Sequence, residues 1–197
     1  FDWEGTFYQG KGVYSLPHPI QKSMPIINAA ASDEGRNFAM RNADFLFTPV
    51  FDFEQAAETV KDITARAASA QRTVDVLTFC TVVCRPTQKE ADDYLNWYAN
   101  ENADWEAVDN LMPLQGLHAQ SFPPEALSMF RDRFAAGHGG FPLVGTPDKI
   151  ADLLEQLSNT GVAGTTLSFV DYAKEFPYFR QEVLPRLESK GLRQPAA

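Results

Sequence analysis

The sequence predicts an α/β fold built on a parallel β-sheet, and three observations support this prediction. Strand-like apolar segments alternate with helical segments along most of the chain. The strongest strand, residues 74–84 (VDVLTFCTVVC), is β-branched and aromatic and apolar on both faces, as parallel sheets covered by helices require. The 197 residues, 44% of them hydrophobic, suffice for one globular domain with a sizeable core.

The first half of the chain shows a regular order of strands and helices. Aromatic and polar residues alternate around three glycines before two prolines, which predicts a short hairpin or an extended excursion at the start. Ser32 is a good N-cap for the first helix. The predicted elements are the excursion at 1–24, a strand at 25–31, a helix at 33–42, a strand at 43–49, a helix at 53–70 and the strand at 74–84.

The second half contains a long segment of weaker pattern. Thr87 and Glu90 have the spacing of a capping box and begin a helix. Further on, Thr146 caps a helix that has Pro147 at its first position and ends at Gly161. The predicted elements are a helix at 87–100, helical pieces at 105–111 and 124–136 with no clear strand between 102 and 144, a helix at 147–159, a strand at 164–170 and a helix at 176–189 with a kink at Pro185.

These elements divide the chain into four segments of a single domain. We predict an excursion at 1–24 and three βα units at 25–101. An insertion occupies 102–144, and a closing helix, strand and C-terminal helix occupy 145–197.

Charge and cysteine usage exclude several classes of protein. The 26 acidic and 17 basic residues give a net charge of −9, which argues against nucleic acid or an anionic membrane surface as a partner. There is no apolar run of roughly 20 residues and no signal peptide, so we expect a cytoplasmic protein. Cys80 and Cys84 would lie roughly 13 Å apart along one strand, too far for a disulfide, and most simply fill core volume.

The most informative local feature is the turn between the first buried strand and its helix. Small residues, Ala29, Ala30, Ala31 and Ser32, let a ligand approach the backbone closely. The helix that follows directs unpaired N–H groups and the positive end of its dipole at the same place. An anion, most often a phosphate, is the natural ligand there.

Four ordered blocks resemble one known family over nearly the whole chain. They are FDWEGTFYQGKGVYSLPHPIQ, NAAASDEGRNFAMRNADFLFTP, GHGGFPLVGTPDKIADLLEQLSNTGVAGTTLSFVDY and FPYFRQEVLPRL. Together they resemble the luciferase-like, flavin-dependent monooxygenases. The resemblance implies the C-terminal half of a (β/α)8 TIM-type barrel, strands five to eight, with a helical insertion before the last βα unit. Since the chain begins at Phe1 in what resembles mid-sequence, we expect a C-terminal fragment.

The resemblance also implies which residues hold a cofactor. The family turn reads Asn-Ala-Gly-Ser-Ser-Pro-x-Gly-Arg and binds the phosphate of reduced FMN. Here Ala30 replaces the glycine and Ala31 replaces one serine, so one hydroxyl contact is lost, and Asp33 and Glu34 add negative charge. The matching positions in this chain are Asn28, Ala29, Ala30, Ala31, Ser32, Gly35 and Arg36.

Each of these residues also has a plain structural interpretation. Ser32 could serve only as a helix cap, and Arg36 could form a salt bridge to Asp33 or Asp44. The glycine-rich loop with His138, Gly139 and Gly140 resembles the family's rim loop and could contact flavin, or could be a mere connector. Three residues after the last strand could line a substrate pocket: Phe169, Asp171 and Tyr172.

The resemblance implies an FMN-dependent monooxygenase that uses O2 and reduced FMN from a separate flavin reductase to oxygenate a small organic substrate. The family's catalytic groups come mostly from the early strands, so we name no catalytic residue and expect this polypeptide alone to be inactive. The full-length form is expected to be a homo-oligomer. No histidine pair has metal-ligand spacing, so no metal site is predicted. Two alternatives remain: a deazaflavin-dependent oxidoreductase, and a non-catalytic half-barrel subunit for binding or assembly.

Overall fold

A computed structural model describes residues 1–14, 16–17, 20–30, 32–117 and 123–195. Over these ranges the chain forms an antiparallel hairpin followed by a five-stranded parallel sheet with helices. The hairpin strands are β1 (Trp3–Glu4) and β2 (Gln9–Gly10), and the parallel strands are β3 (Ile27–Ala29), β4 (Phe45–Phe47), β5 (Asp75–Cys84), β6 (Phe141–Gly145) and β7 (Gly164–Ser168). The prediction at Ala31 lies outside the described residues.

Helices follow each of these strands or fill the long connection between β5 and β6. Several begin at the predicted side-chain caps: Ser32, Thr87 with the full capping box, and Thr146. The helices are α1 (Asp33–Asn42), α2 (Phe53–Ser69), α3 (Gln88–Asn96), α4 (Trp105–Leu114), α5 (Pro124–Gly137), α6 (Pro147–Asn159), α7 (Tyr172–Glu182) and α8 (Leu184–Ser189), and a π-helix at Trp97–Glu101 continues α3.

The register of β5 explains how one strand contacts three others. Its N-terminal residues pair with β4, at Asp75–Leu77. Strand β7 pairs with Leu77–Thr81 and strand β6 with Cys80–Cys84. Since β6 and β7 both oppose Cys80 and Thr81, they must lie on opposite edges of β5. Strand β6 therefore pairs with the same edge of β5 as β4 does, beyond the point where β4 ends.

The sequence missed β6, which lies in the segment predicted to lack a strand. Its five residues, FPLVG, include a glycine and a proline, which both disfavour strands. Pro142 is nevertheless tolerated because β6 is an edge strand: within the described chain it pairs only with β5. The predicted four-strand sheet is corrected to five strands.

The C-terminal helix also differs from the prediction. It begins at Tyr172, not near residue 176, and Pro177 lies inside it. The helix is interrupted at Val183. Pro185 therefore occupies the first turn of α8 instead of kinking one continuous helix. Inside one long helix, Pro185 would remove a backbone hydrogen bond, whereas in the first turn of a new helix it removes none. Two shorter helices therefore accommodate it better than one long helix.

The hydrophobic core lies between one face of the sheet and the helices. Val76, Cys80, Val82 and Cys84 alternate along β5 and pack into this core. Helices α2, α6 and α7 supply its other wall, with Ile63, Ile150 and Phe179 fully buried. On the opposite face, Phe47 and Phe79 are half-buried and stacked with ring centroids 5.9 Å apart, whereas Thr81 and Val83 further along β5 are buried.

Exposed apolar side chains cluster in the N-terminal excursion. Trp3 is 61% exposed and Phe7 88% exposed, and several others up to Ile27 are similarly uncovered. Isolated exposed apolar residues are normal, but a concentration of large ones marks a surface that contacts something else. None of the helices in the described ranges is long and apolar enough to cross a membrane.

Both cysteines are free and buried, as predicted. Burial raises the pKa of the Cys80 thiol and that of the Cys84 thiol to about 11. At pH 8 roughly one thiol in a thousand is then ionised, and only the thiolate is nucleophilic.

We predict that iodoacetamide labels neither cysteine in the folded protein at pH 8 and labels both after unfolding in urea. The unfolded thiols ionise near pH 8.5, below the folded value, so the free energy of unfolding should fall as the pH rises from about 8.5 to 11. Mass spectrometry of the labelled protein checks the first expectation, and urea titrations at several pH values check the second. Rapid labelling of the folded chain would contradict the burial of these thiols.

Candidate functional site

The predicted site residues lie at the ends of parallel strands, and three groups of them lie at the end of the sheet where the carboxyl termini of β3, β4 and β7 are found. The turn at 28–36 spans the end of β3 and the first residues of α1, and residues 169–172 follow β7. The loop 138–140 precedes β6, which starts on β5 directly beyond the end of β4. Ligands of open α/β sheets and barrels bind at the carboxyl ends of the strands. The candidate site therefore lies where this fold favours ligand binding.

The 28–36 turn has the geometry of an anion site at a helix N-terminus. Ser32 is extended (φ −73°, ψ 156°), and its Oγ accepts a hydrogen bond from the Gly35 amide at 3.1 Å. The Arg36 amide donates to the Ser32 carbonyl at 2.9 Å. The amides of Asp33 and Glu34 have no acceptor among the described residues. Two N–H groups at the positive end of α1 are therefore available to a ligand.

Close packing at this turn explains its small residues. A Cβ atom added at Gly35 would lie 2.8 Å from the Cβ of Ala30. Real Cβ atoms do not approach so closely, so a larger residue at either position would push the turn away from the start of the helix. Gly35 and Ala30 together keep the backbone accessible.

Arg36 does not form either predicted salt bridge. Its nearest carboxylate is Asp62 on α2, with Nη1 and Oδ2 3.7 Å apart. Asp33 pairs instead with Arg66 at 3.1 Å, and Asp44 pairs with Arg72 at 3.5 Å. The sequence could not predict that Arg36 pairs with Asp62, because Asp62 lies on the next helix and the pairing depends on how the two helices pack.

Two buried polar atoms at the turn lack a hydrogen-bond partner. They are Nε of Arg36, a donor that a phosphate oxygen could accept from, and Oδ1 of Asn28, an acceptor that needs a donor such as water instead. A buried polar group without a partner is costly, and such groups commonly await a ligand or water. The groups near the turn that favour an anion are the Arg36 guanidinium, the Ser32 hydroxyl and two open amides. Of the carboxylates that oppose it, Asp33 is paired with Arg66 and Asp62 with Arg36, which leaves Glu34. These residues fit a phosphate.

The glycine-rich loop is explained by packing against β5. A Cβ at Gly137 would lie 2.4 Å from Oγ1 of Thr81, and one at Gly140 would lie 2.6 Å from the same atom. His138 takes the left-handed conformation (φ 56°) that ends α5; its side chain is exposed and contacts Phe134. Gly139 also has positive φ. The loop is thus a tight connector, and its contact with a flavin stays a prediction.

The residues after β7 have clear structural roles. Phe169 is buried against Phe179 with ring centroids 5.4 Å apart. Asp171 caps α7 by accepting from the Lys174 amide, and its hydrogen bonds with Lys174 lower the pKa of its carboxyl. Tyr172 is 57% exposed and is the residue of the three that is best placed to contact a ligand. Their role in a substrate pocket stays a prediction.

The structure adds a cluster that the sequence analysis missed. Arg85, directly after β5, forms an ion pair with Glu175 of α7 at 2.8 Å and lies over the Tyr94 ring at 3.9 Å. Glu175 also accepts from the Val170 amide at 3.1 Å. This cluster joins the ends of β5 and β7 and borders a groove of about 820 Å³ that includes Trp97. In the sequence, the only sign of this cluster is that Arg85 directly follows a predicted strand.

Comparison with known proteins identifies the family. A sequence model described as luciferase-like monooxygenase matches residues 1–164. The chain belongs to the luciferase-like monooxygenase family. The predicted family is thus confirmed.

Among its relatives are two monooxygenases of sulfur compounds. The chain is 32% identical over 201 residues to an FMNH2-dependent dimethylsulfone monooxygenase of Pseudomonas fluorescens, covering 97% of this chain and 54% of the relative. It is 27% identical to the dimethyl-sulfide monooxygenase of Hyphomicrobium sulfonivorans, covering 97% of this chain and 46% of the relative. The chain therefore spans about half the length of the curated relatives it matches.

Several solved structures share the fold of this chain. DmoA from Hyphomicrobium sulfonivorans superposes with a TM-score of 0.79 at 22% identity, over 96% of this chain and 46% of that one. The long-chain alkane monooxygenase LadA gives 0.78 at 23% identity, over 98% and 48%. The predicted α/β class is confirmed, and the sheet is a partial barrel. A coenzyme F420-dependent tetrahydromethanopterin reductase from Methanopyrus kandleri gives 0.63 at 20% identity, covering 93% and 57%.

Proposed function

We propose that this chain holds the phosphate end of reduced FMN in a monooxygenase that oxygenates a small organic substrate. One observation carries the proposal: the turn at 28–36 combines open helix amides with the unpartnered Nε of Arg36. A phosphate would satisfy both. The dimethylsulfone monooxygenase relative is described as FMNH2-dependent, which supports FMN as the molecule that carries the phosphate.

The chain's own residues would bind and orient the cofactor. The Asp33 and Glu34 amides and the Ser32 hydroxyl would receive the phosphate oxygens, and the Arg36 guanidinium would balance their charge. When bound, reduced flavin supplies the chemistry with O2. His138, Gly139 and Gly140 would approach the cofactor from beyond the end of β4. Tyr172, with Phe169 and Asp171 fixing its position, would line the groove beside Arg85 and Trp97 through which the substrate arrives.

Other parts of the proposed enzyme come from outside this chain. A separate flavin reductase would supply reduced FMN in the cytoplasm, where buried free thiols persist. The exposed apolar residues from Trp3 to Ile27 and the half-buried Phe47 and Phe79 on the sheet would be covered by further elements of the barrel or by another subunit. We therefore propose that the chain alone does not turn over substrate and that the full-length enzyme is a homo-oligomer.

Replacing Arg36 with glutamine is expected to weaken reduced-FMN binding by at least roughly tenfold, since hydrogen bonds to a charged group contribute about 1.5–3 kcal/mol. Anaerobic titration followed by flavin fluorescence gives the dissociation constant. Arg41→Gln is the matched control: it removes the same charge from the last turn of the same helix, where the side chain is exposed. Equal losses in the two variants would show that Arg36 does not contact the phosphate.

A deazaflavin-dependent oxidoreductase is the second candidate, supported by the shared fold of the F420-dependent reductase. Both cofactors present phosphate, so the turn serves either one. Titrating the same protein with coenzyme F420 separates the candidates. Tighter binding of F420 than of reduced FMN would favour the second.

A further inference from the structure

A cavity of about 390 Å³ lies on the sheet face that points away from the core helices. Its floor is formed by Thr81 and Val83 of β5 and by Pro142 and Val144 of β6. These residues share one face because Thr81 pairs with Pro142 and Val83 with Val144. The cavity is therefore separate from the 28–36 turn, which follows β3.

The walls come from three helical pieces that are fixed to one another. Leu95 and Tyr98 belong to α3 and the π-helix, and Trp105 belongs to α4. The Tyr98 hydroxyl donates to the Ala136 carbonyl of α5 at 3.0 Å, which ties two walls together. Short π-helical segments often occur at functional sites. The pocket is thus built from elements that are already held in place.

The charged groups of this cavity are few and of unequal sign, beside the neutral polar side chains of Asn96 and Asn100. Arg133 is the sole cation among the described lining residues; its Nη2 donates to the Phe51 carbonyl at 2.7 Å, and its Nη1 is buried without a partner. Its carboxylates are Asp92 and Asp132, both exposed and outside any ion pair in the described part of the chain. The lining thus carries one guanidinium and two carboxylates, so it disfavours an anion while Arg133 retains an unused donor.

We propose that this cavity binds the substrate of the enzyme, a compact neutral molecule with an apolar body and an acceptor oxygen of the sulfone, sulfoxide or amide type. The aromatic and aliphatic walls take the apolar body, and the Arg133 guanidinium takes the oxygen. The two carboxylates at the edge exclude anionic analogues. The inference rests on the proposed function in one respect, that the ligand held here is the compound to be oxygenated.

The test is an NMR titration of this chain with three small probes. Sulfolane is a neutral cyclic sulfone, tetrahydrothiophene is the same ring without the oxygens, and n-butanesulfonate is an anion of similar size. The readout is the indole N–H resonance of Trp105, assigned with a Trp105→Phe variant, because Trp3 and Trp97 lie outside this cavity. Sulfolane should shift this resonance saturably and bind at least about tenfold more tightly than either other probe.

Two variants test the assignment of the pocket. Arg133→Met should weaken sulfolane binding about tenfold while leaving tetrahydrothiophene binding unchanged. Val144→Phe fills the floor without removing a polar group and should abolish the Trp105 response to every probe. The Val144→Phe variant still tests the pocket if Arg133→Met fails to fold. Asp132→Asn should bring n-butanesulfonate closer to sulfolane in affinity.

Several results would overturn the proposal. They are an unresponsive Trp105 resonance, equal affinities for sulfolane and tetrahydrothiophene, tighter binding of the sulfonate, and full sulfolane binding by Val144→Phe. The probes are added without flavin, so Arg36→Gln should leave their titrations unchanged. If the unmodified chain bound sulfolane as expected but did not bind reduced FMN, the proposed function alone would be refuted. If it bound reduced FMN but not sulfolane, the pocket alone would be refuted.

Discussion

Replacing Arg85 with methionine is expected to lower the free energy of unfolding by about 3 kcal/mol. The variant leaves the Glu175 carboxylate, only 9% exposed, without the guanidinium that lies 2.8 Å away. Removing one partner of such a pair leaves a charge that is both desolvated and unpaired, and this costs far more than the pair contributes. Urea denaturation followed by far-UV circular dichroism measures the change.

A matched ion pair on the surface serves as the control. Lys89 and Asp93 lie four residues apart on α3 with their charged groups 2.6 Å apart, and both side chains are largely exposed. Lys89→Met should change the stability by less than about 0.5 kcal/mol. If the two variants lose the same stability, the Arg85–Glu175 pair is no more buried than a surface pair, and its role in joining β5 to β7 must be abandoned.

The second large effect is expected at Gly137, the last residue of α5. Alanine is normally better than glycine in a helix by about 1 kcal/mol, yet here we expect a loss of about 2 kcal/mol. The reason is that the new Cβ would lie 2.4 Å from Oγ1 and 2.7 Å from Cγ2 of Thr81. Thermal or urea unfolding of Gly137→Ala gives the measurement.

A double-mutant cycle isolates the cause of this effect. The three heavy atoms nearest to the added Cβ all belong to the Thr81 side chain, and Thr81→Ala removes two of them. In the Thr81→Ala background, Gly137→Ala should be neutral or stabilising. A loss of the same size in both backgrounds would mean that the backbone of the loop, not its contact with β5, requires glycine.

Local signals in the sequence were sufficient for most of the helices. Helix α1 begins after the predicted cap Ser32, and α6 occupies the predicted residues 147–159, because a cap, an N-terminal proline and a terminal glycine all act within a few residues. Strand β6 was missed because pairing with Cys80–Cys84, sixty residues earlier, stabilises it more than its own composition does.

The candidate site divides in the same way. The turn at 28–36 is one contiguous segment, so its small residues and helix start could be read from the sequence. The partner of Arg36, the Arg85–Glu175 pair and the cavity under α5 each join residues far apart in the chain. Such contacts depend on the packing of complete elements, and no local pattern encodes them.

The most direct test of the account compares reduced FMN with reduced riboflavin, which differs only in lacking the phosphate. Both are titrated anaerobically into this chain under the same conditions. If the 28–36 turn holds the phosphate, FMN should bind at least about thirtyfold more tightly, as expected for charge-assisted hydrogen bonds. Ser32→Ala combined with Arg36→Gln should then remove most of that preference. Equal affinities for the two flavins in the unmodified chain would contradict the central claim.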